Sequence, residues 1–248
     1  NNTVTGENGF AGGNNATAAG RNSFAFGSHA ESLVEYTVAI GNQARTASYD
    51  SVAIGNGAFV SGESSVAFGR SNNVTGENSV AIGANNGTVA GSQSAVVGYN
   101  NKIGADKEQL VFGSNSESNG QGALVFGTHA KSLATDAVAF GNNTLADKAN
   151  VFAGEHPASV VSFGSKARAG AGGVTQYNRQ LTNVSAGQIS ADSLDAVNGS
   201  QLFAVVDEVE TNAKQISKNK QNIKDVAIGL NMLGDVVNDH EQAIAGNT

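Results

Sequence analysis

The 248-residue chain contains no cysteine, no tryptophan, one proline and one methionine. Without cysteine there can be no disulfide staples and no thiolate metal sites, which fits a cytosolic protein or an exported one built without disulfides. No apolar run approaches the roughly eighteen residues that a membrane-spanning helix needs. No basic, apolar signal segment opens the chain, so a mature protein or an excised fragment is expected. Positive charge is also scarce: 14 Lys and Arg stand against 21 Asp and Glu, for a net charge of −7. Residues 1–179 carry 12 acidic and 10 basic side chains, and residues 180–248 carry 9 and 4. Neither part has the Lys/Arg stripe of a nucleic-acid surface, so no nucleic-acid partner is expected.

Glycine is plentiful, at 32 residues, and much of it is periodic. The phrase Ser-Val-Ala-(Ile/Phe)-Gly closes on Gly13, Gly27, Gly41, Gly55, Gly69, Gly83, Gly98, Gly113, Gly127, Gly141, Gly154 and Gly164, at a spacing of fourteen with slips to fifteen, thirteen and ten. Three residues before the glycine stands an apolar residue such as Phe24, Val38, Val52 or Val66, and one before stands Phe26, Ile40, Ile54 or Phe68. A small residue, usually alanine, separates the two columns: Ala25, Ala39, Ala53, Ala67, Ala81 and Ala139. Alternation with period two is the strand signature. A weaker half-phrase carries Gly20, Gly62, Gly76, Gly91 and Gly120, preceded by Ala18, Val60, Val74 and Val89.

Each unit therefore reads as two short strands and two tight turns. It is too small to bury a hydrophobic face alone, so units must stack as a parallel β-solenoid, about 4.8 Å per coil. About twelve coils over residues 1–169 would make a rod on the order of 50 Å long. The Val, Ile and Phe columns are expected to fill a thin interior together with the weaker column of the second strand. The alanine column would then point outward, either as an ordinary weakly exposed face or as a flat strip for self-association. Glycine is expected where the backbone turns with positive φ or passes close to the next coil.

Two coils have fifteen residues, at "ANNGTVAGSQSAVVG" and "YNNKIGADKEQLVFG", and read as bulged turns, although protruding loops are where a repeat scaffold gains binding specificity. "SHAESL" and "THAKSL" place His29 and His129 at equivalent corners, about 30 Å apart by coil stacking and too far to share an ion. The segment around His156 and Pro157 is the least regular coil and reads as an end-of-roll distortion.

From Gly170 the pattern changes. A glycine-rich joint, "AGAGGVTQYNRQ", leads into "LTNVSAGQISADSLDAVNGSQL", so residues 170–202 read as joint and neck. Residues 203–248 then carry a strict seven-residue column, which starts at Leu202 and continues through Val209, Ile216, Ile223, Leu230, Val237 and Ile244. Three residues on come Val205, Asn212, Asn219, Val226, Leu233 and His240. That is a coiled coil about 70 Å long. Heptads alone leave the strand number open: Ile at a with Leu at d leans toward dimers, whereas a buried Asn can specify either state.

The repeated phrase, the string from Leu181 to Leu202 and the heptads resemble, in that order, the head, neck and stalk of YadA-like trimeric autotransporter adhesins. The resemblance covers nearly the whole chain, and its most specific part is Asp195-Ala196-Val197-Asn198-Gly199-Ser200-Gln201-Leu202. It implies a homotrimer of left-handed parallel β-rolls, joined by an interlocked neck to a trimeric coiled coil. It also implies a bacterial cell-surface location, with an outer-membrane anchor beyond Thr248. Stalks of the family hold a halide on the trimer axis through inward-turned Asn at d, and Asn212 and Asn219 fit that spacing. A structural chloride is the implied cofactor. The alternative for Asn212 and Asn219 is hydrogen bonding to each other or to water.

The function implied is adhesion by multivalent binding to host extracellular matrix, host cells, surface glycans, or the same protein on another bacterium, with autoaggregation and biofilm as consequences. Two alternatives stand beside it: a passive spacer displaying another domain, and capture of immunoglobulin or serum factors through the stalk. An enzyme is not expected. There is no Gly-x-Ser-x-Gly elbow, no phosphate-binding Gly-x-x-x-x-Gly-Lys-(Ser/Thr) loop and no His-Glu-x-x-His. Acidic residues are spread one or two per coil, as on a solvated face, rather than paired as carbohydrate-cleaving solenoids require. No catalytic or metal residue is assigned, and no head residue is singled out for ligand contact.

Overall fold

A computed structural model describes residues 1–147, 159–165 and 176–246. The chain divides into two compact units, Asn1–Arg179 and Gln180–Thr248.

The first unit is a parallel β-solenoid. Its described strands form two eleven-stranded sheets, and the chain alternates between them coil by coil. One, the phrase sheet, is built from strands such as Phe24–Phe26, Val38–Ile40, Val52–Ile54 and Val66–Phe68. The other, the short-strand sheet, is built from two-residue strands such as Glu31–Ser32, Arg45–Thr46, Phe59–Val60 and Asn73–Val74. Register follows the sequence period: Val52, Val66 and Val80 align, as do Ala53, Ala67 and Ala81. Backbone bonds run from rung to rung, for example from Val52 N–H to the Ser65 carbonyl at 3.0 Å. Gly154, His156 and Pro157 lie outside the described residues. The phrase ending at Gly164 pairs directly with the one ending at Gly141, through Val138 and Val161.

The expected orientation of the alanine column is reversed in the structure. Ala25, Ala39, Ala53, Ala67, Ala81 and Ala139 are fully buried, and the Val, Ile and Phe columns face outward. A coil of about fourteen residues brings its two sheets close together, so the inward positions are mostly small. In most coils opposite inward positions also compensate in volume, as close packing demands, although Val96 faces Ile103. Val60, Val74 and Val89 share coils with Ala53, Ala67 and Ala81, whereas Val111 and Val125 share theirs with Ser118 and Ser132.

The corners are polar, and most of them are hydrogen-bonded, although Ser23 Oγ and Gln109 Oε1 have no partner within the chain. Ser65 Oγ donates to the Gly76 carbonyl (2.8 Å) and accepts from Ser79 N–H (2.9 Å), and Ser79 repeats the pattern one rung on. Asn72, Asn86 and Asn101 form a buried amide ladder: Asn86 Nδ2 donates to Asn72 Oδ1 (3.2 Å) and Asn101 Nδ2 to Asn86 Oδ1 (3.0 Å). The phrase glycine is needed for close approach. At Gly69, with φ 108°, a Cβ would lie 1.9 Å from the carbonyl oxygen of Gly83 on the next rung. The left-handed turn itself falls mainly on non-glycine residues at seven-residue intervals, such as Asn8, Asn15, Asn22 and His29, many of them the Asn that tolerates this region best.

Both fifteen-residue coils contain local bulges. In the first, the pairing steps by fifteen from Asn73 to Thr88, which leaves Gly87 as the extra residue before the strand Thr88–Val89. In the second, the extra residue lies in the exposed corner after Ile103, where the buried Gln109 amide donates to the Gly104 carbonyl at 3.1 Å.

The second unit ends in one helix, Gly199–Ala245, whose 47 residues span about 70 Å. None of its residues is buried.

Candidate functional site

Three features remain available for contacts: the two outer faces of the roll, and the neck with its helix.

The outer face of the phrase sheet is apolar along its length. Phe26, Phe68 and Phe140 are each about half exposed, at 52%, 52% and 53%. Rings stack along the column, with centroids 4.9 Å apart for Phe10 and Phe24 and 5.2 Å for Phe112 and Phe126. A continuous exposed apolar strip of this kind marks an interaction surface. An exposed apolar strip is present on the roll, formed by the large residues rather than by the alanines.

The outer face of the short-strand sheet is polar and laddered. Arg45 Nε meets Glu31 at 2.9 Å on the adjacent rung, and the same guanidinium lies 5.5 Å from the centroid of the Phe59 ring on the rung beyond. Lys131 Nζ meets Glu117 at 2.9 Å, and Lys102 is paired with Glu117 from the other side. The Lys131 hydrogen bond outweighs partial burial and holds the Glu117 carboxyl below the usual glutamate range, with help from Asn119 and Lys102. At the corner, a hydrogen bond to Glu35 and its charge raise the Arg21 guanidinium above its already high value.

The C-terminal end of the roll is closed by Arg179. Its guanidinium lies where the next phrase glycine would pack against Gly141, and it donates to Thr144 Oγ1 (3.2 Å) and to the carbonyls of Asn142 and Phe163. Sequence reading missed this role, because a lone arginine after a glycine-rich joint carries no periodic signal.

The neck string folds back on the start of the helix. Asn198 caps the helix: its Oδ1 accepts from Gln201 N–H at 3.3 Å, while Gln201 Oε1 accepts from Asn198 N–H at 3.1 Å, a reciprocal capping box. Both side chains also reach backward. Gln201 brackets Gly187, accepting from its N–H (3.0 Å) and donating to its carbonyl (2.6 Å), and Asn198 Nδ2 donates to the Val184 carbonyl at 3.0 Å. Asp195 accepts from Gln188 N–H at 2.8 Å. A Cβ on Gly187 would meet the Ala196 carbonyl at 2.6 Å, so glycine is required there. Leu181, Ile189, Leu194 and Val197 around this knot are exposed.

On the helix, the seven-residue column and its companion share one stripe, and Ile216, Ile223 and Leu230 are about two-thirds exposed. Asn212 and Asn219 stand on that stripe, and Gln215 Nε2 donates to Asn219 Oδ1 at 2.8 Å along the helix. Among the described residues no group of three or more His, Cys, Asp and Glu could hold a metal within one chain, and no helix is long and apolar enough to cross a membrane.

A family model described as the YadA head domain repeat matches residues 5–30, 35–58, 61–86 and 112–144, and one described as the coiled stalk of trimeric autotransporter adhesin matches residues 180–225. The chain belongs to the YadA-like trimeric autotransporter adhesins. Within this family, the curated autotransporter adhesin BtaE of Brucella suis biovar 1 (strain 1330) is 48% identical over 61 residues, which are 25% of this chain and 7% of that protein. The crystal structure of the collagen-binding domain of Yersinia adhesin YadA aligns with a TM-score of 0.48 at 24% identity, covering 79% of this chain and 87% of that one.

Proposed function

We propose that this YadA-like chain is the head, neck and first part of the stalk of a homotrimeric surface adhesin. Three rolls cover one another's Phe, Ile and Val columns, and three helices bury the seven-residue seam. The observation that carries this reading is the pairing of a family match over head and stalk with an apolar stripe on each of the two units. A 47-residue helix with no buried residue draws its stability from partners rather than from its own propensity.

If the phrase sheet faces inward in the trimer, the laddered short-strand sheet is the surface left to meet a ligand. Its targets are an extracellular matrix protein such as collagen, fibronectin or laminin, a host-cell glycan or receptor, or the same head on another bacterium. Three copies on one rigid axis raise effective concentration, so weak contacts suffice. These residues face the outside of the cell, on a protein held at the outer membrane. The role is binding, not catalysis.

The test is mass in solution combined with solid-phase binding to a panel of matrix proteins and glycans. A trimer of three 25.0 kDa chains, about 75 kDa, that binds at least one panel member supports the reading. A trimer that binds nothing favours a spacer, and binding lost on deleting residues 203–248 points to the stalk.

On the same reading, Asn212 and Asn219 turn six amides toward the axis, whose donors need an acceptor, and chloride supplies it. Four lysines, Lys214, Lys218, Lys220 and Lys224, flank Asn219 and favour an anion there, whereas Asp207, Glu208 and Glu210 precede Asn212. Exchanging chloride for a large anion such as sulfate at equal ionic strength should lower the helix melting temperature. An unchanged temperature would leave the amides bonded to each other or to water.

A further inference from the structure

One titratable residue interrupts the apolar seam of the helix. His240 lies seven residues after Leu233 in the companion column, and it is bracketed by Val237 and Ile244 of the seven-residue column. Glu241 follows it at the flank of the seam. Within a single chain the imidazole is solvent-exposed and has no carboxylate or thiol partners to form a metal site. A parallel three-helix assembly changes that, because it repeats His240 three times at one height between two apolar layers.

The chemistry of that layer is opposite to that of the asparagine layers. Turned inward, Asn212 and Asn219 offer amide donors. A neutral imidazole can turn its ring nitrogen lone pair to the axis while its N–H faces outward, and three such lone pairs between apolar layers then call for a cation. The charges along the helix divide in the same sense. The four lysines lie between residues 214 and 224, and no Lys or Arg follows Lys224. Asp235, Asp239 and Glu241 surround His240 instead. The field along the stalk thus favours an anion near Asn219, the layer flanked by the lysines, and a cation near His240.

We propose that the three His240 side chains of the assembled stalk form a three-histidine site for a borderline transition-metal cation, with zinc as the best match. Three imidazole nitrogens leave a fourth position for water, a donor set suited to tetrahedral zinc. Glu241 serves as the outer partner: a carboxylate that accepts from the second ring N–H fixes the tautomer and strengthens the ligand. The site would clamp the stalk rather than catalyse. It rests on the trimeric reading above.

The test uses the whole chain without a histidine tag, stripped of metal, at pH 7.5. Zinc titrated by calorimetry should bind at one ion per three chains and raise the melting temperature of the helix. Cobalt(II) should show the intense visible bands of a four-coordinate site. His240→Gln should abolish both signals while the assembly still sediments at three chains, and Glu241→Gln should weaken zinc binding roughly tenfold or more. A 75 kDa trimer that takes up no stoichiometric zinc, or a His240→Gln variant that binds zinc unchanged, overturns the site and leaves the trimer standing. A mass near 25 kDa overturns the assembly itself.

Discussion

The phrase sheet and the short-strand sheet share one period and one thin interior, yet their outer faces differ: one is apolar along its length, and the other is mostly polar, with Phe59 and Leu145 as exceptions. Inward, both present chiefly alanine, valine, serine or threonine, with Ile103 as an exception, because the coil has little room for more. Outward, the phrase sheet presents Phe24, Phe26, Val38, Ile40, Val52 and Ile54, and the short-strand sheet presents Thr17, Glu31, Arg45, Asn73, Lys102 and Glu117. The inner residues specify the fold and the outer ones specify the company it keeps. Strand propensity is served on both sheets, since β-branched and aromatic residues pack well on a pleated surface whichever way it faces. What differs is solvation. Exposed ladders of Glu with Arg or Lys keep one face in water, while stacked phenylalanines make the other costly to leave uncovered.

The sharpest way to break this comparison is to exchange an inward residue and its outward neighbour. Ala67→Leu adds volume where Ala53, Ala81 and Val74 already fill the interior. It should destabilise the roll by about 3 kcal/mol, at the upper end of overpacking costs. Phe68→Asp, one residue away and half exposed, should leave the single roll's fold within about 0.5 kcal/mol, as surface substitutions do. Its effect should appear in assembly, because an aspartate buried at an apolar contact is left unpaired. Denaturant melts of the β signal should therefore fall for Ala67→Leu at every concentration and become more concentration-dependent for Phe68→Asp. If Phe68→Asp unfolds the roll even when monomeric, or Ala67→Leu is silent, the inward and outward assignments are wrong.

The period, the two-strand coil and the heptads were legible in the sequence because each is a spacing, and spacing survives without coordinates. The facing of the strand was not. Alternation with period two has two faces, and hydrophobicity alone sends the larger residues inside. The cue that resolves it is the parity of serine. Ser51, Ser65 and Ser79 fall on the alanine parity, and they are buried because their hydroxyls bond to glycine carbonyls such as those of Gly62, Gly76 and Gly91. A column that tolerates only Ala, Ser and occasional Val is a size limit, and size limits belong inside. Gln201 and Asn198 were visible as part of a motif, whereas their grip on Gly187 and Val184 needs the fold of the neck to be seen. Asn212 and Asn219 were placed on the seam by spacing alone, and their chemistry depends on an assembly that no single chain displays.

The smallest effect tests the polar face. Glu117 sits between Lys102 and Lys131 on adjacent rungs and is held below the usual glutamate range, first by the Lys131 hydrogen bond. A carboxyl whose folded pKa is depressed stabilises the fold fully above its unfolded value, about 4.3, and loses that contribution as pH falls through the lower folded value. Glu117→Gln should therefore cost roughly 0.5 kcal/mol at pH 7, within the range of exposed ion pairs, and progressively less as the pH falls below the ordinary glutamate range. High salt should shrink the difference at pH 7, because the pair is close to solvent. Urea midpoints of both chains from pH 3 to pH 7 read the effect directly. A difference that stays constant across that range would mean that Glu117 acts by packing and that the ladder contributes no charge-dependent stability, which would leave the polar face to be explained by solubility and ligand contact alone.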